Sequence, residues 1–192
     1  MTCLSGSVRI RAMESKDIQV GLINVVMGGA ILWYLLGERN LFSLELLIFW
    51  LATGSFLFHW YWGLIAFVRY IGPTESFAEF MLDIAAVCAQ VSTIFWIGFP
   101  LLWFALNGIS FTLAILKYVL TLRTRGLSAP LADYVKEKMR IHAAGAAGMF
   151  LGAFMSFHFF GYVWFFGLLT LISHLLVMSY LMAKKVYVLR DF

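Results

Sequence analysis

Charge is what this sequence has least of. Asp, Glu, Lys and Arg make up 12% of its 192 residues, against 62% hydrophobic and 18% aromatic. A soluble domain carries about 25% charge, so the chain has half of what a water-facing surface needs, and soluble fold classes are excluded. The mean hydropathy of +0.89 agrees. Cysteine is almost missing as well, with only Cys3 and Cys88 present. Cys3 is expected in a reducing cytoplasm and Cys88 inside a helix in lipid, so a disulfide is excluded on redox and geometric grounds and each reads as a small apolar filler.

Several motifs are absent too. The chain has no TVGYG-type filter and no arginine series for voltage sensing. It has no HxxxH, ExxxH, CxxC or nucleophile-elbow motif, which leaves a lipid-modifying enzyme with little footing. The first 17 residues hold three basic and two acidic side chains, and no small-residue cleavage site follows a short apolar core. Residues 1–17 therefore read as a cytoplasmic segment rather than a removed signal peptide.

What the chain does have is long uncharged runs: 18–37, 46–68, 84–116 and 141–183. A spanning helix takes about 20 apolar residues. The first two runs are one span each. The last holds two, divided near 158–161, where polar and glycine residues cluster. The third, extended by its flanks, also holds two. Pro100 offers one division, as a helix start; the Asn107-Gly108 turn followed by Ser110 as an N-cap offers another, and that second division is preferred. The expected fold class is all-α: a polytopic integral membrane protein, a six-transmembrane-helix bundle with both termini cytoplasmic. Its spans fall near 18–37, 41–68, 77–106, 109–122, 141–159 and 162–183, with a cytoplasmic tail at 184–192.

Lys and Arg in short loops collect on the cytoplasmic side. With the N-terminus inside, thirteen of the fourteen basic residues lie on that side and only Arg39 lies outside. The same asymmetry explains the formal charge of +4 as a basic face against anionic lipids, with no need of nucleic acid. Plasma or inner membrane is the expected location. Between the fourth and fifth spans, 123–140 is expected to be an amphipathic segment at the headgroups, opening a helix at Ser128-Ala129-Pro130; docking of a cytoplasmic partner is the alternative.

An ionisable group at bilayer depth is costly unless paired, neutral or hydrated, and so marks a functional site. Counting from the cytoplasmic anchors at about 1.5 Å per residue places His59 and His174 near the midplane, Asn24 and Asp83 about 12 Å in and Lys117 about 9 Å in. Glu79, Asp83, Gln90 and Thr93 share one face of the third helix, a stripe that faces protein or water rather than lipid. His142 and His158 read as wetted ends, and Glu45 as interfacial. Trp60 and Trp62 flank His59. Ala144, Gly148 and Gly152 form a small-residue ridge for close helix packing, within the bundle or in a homo-oligomer.

These residues give four readings. The leading one is a small channel or transporter whose ion or proton pathway uses Asp83, His59, His174, Glu79, Gln90, Asn24 and Lys117, since carboxylate and imidazole exchange protons readily. A non-catalytic subunit of a larger membrane complex is the second. A b-type haem protein with His59 and His174 as axial ligands is the third. A lipid-acting enzyme is the fourth. Interhelical hydrogen bonding that merely glues the bundle is the bland account of the same residues.

Overall fold

The protein is described by a computed structural model covering residues 4–37, 43–74 and 76–183, with side chains described within Lys16 to Leu181. Cys3, Arg39 and the tail at 184–192 lie outside the described residues. All regular structure among those described is helical: α1 Leu4–Leu36, α2 Leu44–Tyr70, α3 Phe77–Ser92, α4 Pro100–Thr124, α5 Ala129–His158 and α6 Val163–Ala183, with short 3-10 turns at Thr93–Trp96 and Phe160–Tyr162. Five of the six are long and apolar enough to cross a membrane. The other is α5, whose first half carries Asp133, Lys136, Glu137, Lys138 and Arg140 and whose second half is rich in Gly and Ala.

Helix starts follow local chemistry. Ser43 and Ser76 sit in extended conformation and accept from the backbone N–H of Leu46 and Glu79, satisfying donors that the first turn leaves open. Pro100 and Pro130 occupy first-turn positions, where the missing N–H costs nothing. Between α2 and α3 the chain turns at Gly72 with φ of +111°, a conformation that glycine adopts without strain.

The helices alternate in direction. Tyr61 of α2 bonds Asn24 of α1, and Tyr34 of α1 bonds the Trp50 carbonyl, so α1 and α2 are antiparallel. Asp83 meets Lys117, and Ser110 reaches the Ala86 carbonyl, which makes α3 and α4 antiparallel. Phe104 lies against Gly152, and Phe111 against Gly145, so α4 and α5 are antiparallel as well. In contrast, Phe49 and Phe56 of α2 meet Gly167 and His174 of α6 in the same order, and these two run parallel. One end of the bundle, here the basic end, carries the turns at Gly72 and Gly126; the other carries those near Gly98 and Gly161.

The division of the third uncharged run differs from the expectation. The helix break falls at 97–99, before Pro100, while Asn107 and Gly108 lie within α4. Asn107 donates its side-chain amide to the Trp103 carbonyl one turn back, and Gly108 lets Phe150 of α5 approach. Residues that commonly make turns here serve a helix–helix contact, and the spans are 77–96 and 100–124. The segment 123–140 also differs, since α5 starts at Ala129 as expected but runs unbroken to His158, with Tyr134, Val135 and Lys138 buried. The start of α5 and the stretch that follows it are therefore one continuous helix.

The core is aromatic. Phe49, Trp103 and Phe104 pack edge to face with centroids 5.0 to 5.7 Å apart, and Phe56 joins them to Phe111. Leu, Ile, Val and Phe fill the exposed faces of α1 and α6, two of the helices long and apolar enough to cross a membrane.

Candidate functional site

The stripe on α3 meets a matching stripe on α4, and each turn is joined differently. At the basic end, Arg125 donates to both Glu79 carboxylate oxygens, and Thr121 donates to Glu79 Oε1 at 3.0 Å. Arg125 also reaches the carbonyls of Ile71 and Pro73, tying the α2–α3 turn to the pair. One turn further in, Lys117 Nζ lies 2.6 and 2.7 Å from the two Asp83 oxygens, and Thr74 donates to the same carboxylate at 3.3 Å. The Lys117 ammonium also sits 3.8 Å above the Phe67 ring. Next comes the Ser110 bond to the Ala86 carbonyl at 3.0 Å. Beyond it Gln90 and Asn107 fall at the corresponding register, both fully buried, and neither Gln90 side-chain atom nor Asn107 Oδ1 finds a partner.

The two ion pairs are covered to different degrees. Glu79 and Arg125 are almost completely covered; Asp83 keeps 21% of its side chain exposed, and Lys117 keeps 5%. Taking either charge out of water is tolerable only because its partner is held at hydrogen-bond distance.

Beside this seam, imidazoles from three helices touch. His59 of α2 lies 5.1 Å from His174 of α6 and 6.1 Å from His142 of α5, centroid to centroid. His142 Nδ1 bonds the Lys138 carbonyl at 2.8 Å, and its ring is boxed edge to face by Trp60, Phe111 and Tyr118. His59 Nδ1 lies against Met178 of α6. Among the described residues no three His, Cys, Asp or Glu side chains form a group that could hold a metal ion. His59 and His174 are tilted 58° in direct contact, so a porphyrin plane between them would require the rings to part.

A cavity of about 20 Å³, room enough for a water molecule, joins the two clusters. Its walls include Asp83 and Lys117 on one side and His59, His142 and Lys138 on the other. Groups on four helices, far apart in sequence, thus share one small polar space.

Most of the residues singled out by depth gather here, with exceptions. Asp83, Lys117 and His59 line the cavity, and His174 touches His59 from behind. Glu79 is one turn away and buried in its own pair with Arg125. Gln90 lies past the cavity on the same face. Asn24 is elsewhere: it is exposed and bonds Tyr61 at 2.8 Å, an interhelical tie between α1 and α2. His142 is a correction, since it is 3% exposed rather than wetted; Arg140 before it points outward, and the helix turns the next-but-one residue inward. His158 is exposed against Phe154 and Phe157, and Glu45 is exposed in the first turn of α2. Cys88 is exposed on α3 rather than filling the interior. Of the two tryptophans beside His59, Trp60 is buried at the cavity and Trp62 is exposed. Lys138 and Arg125 are the members that depth counting missed, because both precede or follow an uncharged run and read as surface charges. Comparison of the chain with protein-family models, with curated proteins and with solved structures finds no match.

Proposed function

We propose that this chain is a six-helix integral membrane transporter, both termini cytoplasmic, that carries protons or a small cation through a site built on Asp83, Lys117 and His59. The observation that carries the reading is the shared cavity, in which a carboxylate, an ammonium and an imidazole meet deep in an apolar bundle. Intramembrane ionisable groups facing the bundle interior and paired with one another are the usual mark of an ion or proton path. The α3–α4 seam supports a route along the hairpin, since its polar groups recur every turn from Arg125 to Thr93. The alternating helix directions and the basic residues collected at the Gly72 and Gly126 turns support the orientation.

Chemically, Lys117 acts as a tethered counter-ion. A proton or cation reaching Asp83 competes with the ammonium for the carboxylate, and Lys117 returns when the ion leaves. His59, across the cavity, offers the next acceptor.

The test is flux in proteoliposomes loaded with a pH-sensitive dye, with Na⁺ and K⁺ gradients as separate arms. Asp83→Asn is expected to lower flux at least about tenfold, a barrier change of about 1.4 kcal/mol. Because that variant leaves the Lys117 charge unmatched, Asp83→Asn with Lys117→Gln is measured beside it to keep the fold. Wild-type flux in both would overturn the role of Asp83.

A further inference from the structure

Where α2 meets α6, a thioether joins two of the imidazoles. His59 Nδ1 lies 2.6 Å from Met178 Sδ, and the His59 and His174 rings are 5.1 Å apart, centroid to centroid. His174 and Met178 stand one helical turn apart on α6, so both project from one face of that helix onto His59. The His174 ring is hydrogen-bonded to the backbone of Ser55 on α2. The Ser55 N–H is spent inside its helix, so the carbonyl accepts and the ring donates. Nε2 of His174 is buried with no hydrogen-bond partner, so the donor is Nδ1 and Nε2 carries the lone pair. An imidazole held at one nitrogen by a backbone carbonyl, with the other nitrogen bare, is oriented as metal-ligating histidines are.

Among the described residues no third His, Cys, Asp or Glu completes a metal-holding group, so a borderline ion such as Zn²⁺ lacks its usual ligand set. A thioether as the third donor selects a soft ion instead. All three ligands are neutral, and in an apolar bundle they suit a monovalent charge better than a divalent one. Softness and charge together point to Cu⁺. At bonds of about 2.0 Å to nitrogen, two imidazoles on one ion have ring centroids about 5 Å apart, as His59 and His174 do. With about 2.3 Å to sulfur, His59 Nδ1 and Met178 Sδ would stand about 3.6 Å apart. Binding then moves the thioether outward by about 1 Å, within the reach of a side chain with three rotatable bonds. An open cleft of about 480 Å³ between α5 and α6 reaches both imidazoles and is lined by two more thioethers, Met149 and Met155. Asp83, Lys117 and Lys138 line the small polar cavity, which neither His174 nor Met178 lines.

We propose that His59, His174 and Met178 bind one Cu⁺ ion in a three-coordinate site of two imidazoles and one thioether between α2 and α6. The site goes beyond ion transfer at Asp83, and its readout is binding rather than flux, so either reading can fail alone. The experiment titrates the purified full chain in detergent with Cu⁺, anaerobically with ascorbate, in competition with a colorimetric Cu⁺ chelator. Cys3 and Cys88 are first replaced by Ser so that no thiolate contributes. One Cu⁺ per chain is expected to leave the chelator, with both sulfur and nitrogen in its X-ray absorption shell. Met178→Leu, which conserves volume, is expected to weaken binding at least about tenfold and to remove the sulfur. His174→Gln is expected to weaken it at least as much, and decides together with the wild-type sulfur shell if Met178→Leu does not fold. Met155→Leu, a cleft thioether far along α5, is expected to leave affinity unchanged. No Cu⁺ taken from the chelator, a shell without sulfur in the parent chain, or unchanged affinity in a folded Met178→Leu or His174→Gln would overturn the proposal. So would equal loss in Met155→Leu, or Zn²⁺ bound as tightly as Cu⁺.

Discussion

Glu79 spends both of its oxygens on Arg125 and one of them also on Thr121, inside a region that water does not reach. Removing one member of such a pair costs about 3–5 kcal/mol, because the other charge stays buried without compensation, while replacing both by apolar groups is often neutral. Glu79→Gln is therefore expected to lower stability by about that amount, and Glu79→Leu combined with Arg125→Leu to recover most of it. Reversible unfolding in mixed micelles would check both. At this scale the sequence was informative about depth and silent about azimuth. Asp83 and Lys117 stood out because neither could be left alone in lipid, yet helical position along the membrane does not say which faces which. Lys138 and Arg125 were missed, and His142 was misread as wetted, for a related reason: a polar group at the edge of an apolar run looks solvated until the neighbouring helix is seen to cover it.

The glycines of α5 show how an element is read and misread. Ala144, Gly148 and Gly152 form one ridge in sequence, but only Gly152 is pressed against a neighbour, with Phe104 at 2.6 Å from a built Cβ. Gly152→Ala should destabilise the α4–α5 contact, since the aromatic core would have to shift, an overpacking cost of about 1–3 kcal/mol. Gly148→Ala, whose methyl meets nothing, should raise stability by about 0.5–1 kcal/mol, the helix-interior advantage of Ala over Gly. Parallel thermal melts of the two variants distinguish them. Ser76→Ala removes the cap of α3 and is expected to cost about 1 kcal/mol, readable in the same assay. Six helices were legible because uncharged runs of the right length have few other uses. The break in the third run was not, because Asn107-Gly108 carries a turn signal that tertiary packing overrides, whereas Pro100 acts locally and needs no neighbour to start a helix.

For the whole molecule, the prediction concerns orientation. With the native cysteines replaced, a single cysteine at Gly126 should react with a membrane-impermeant maleimide only from the cytoplasmic face, and one at Gly161 only from the opposite face. Labelling of both from one face would remove the alternating topology on which the ion path is drawn.

The α3–α4 seam also restricts how this bundle can move. Each turn of the hairpin is keyed by a different chemical match: guanidinium to carboxylate, ammonium to carboxylate, hydroxyl to carbonyl. A slip of one helical turn, about 5.4 Å, would bring Glu79 to Lys117 or Asp83 to Arg125. Either way the remaining carboxylate and the remaining cation are left without partners, and each charge that stays buried costs about 3–5 kcal/mol. The hairpin is thus a lock with one setting, a stator against which the other helices must do the moving.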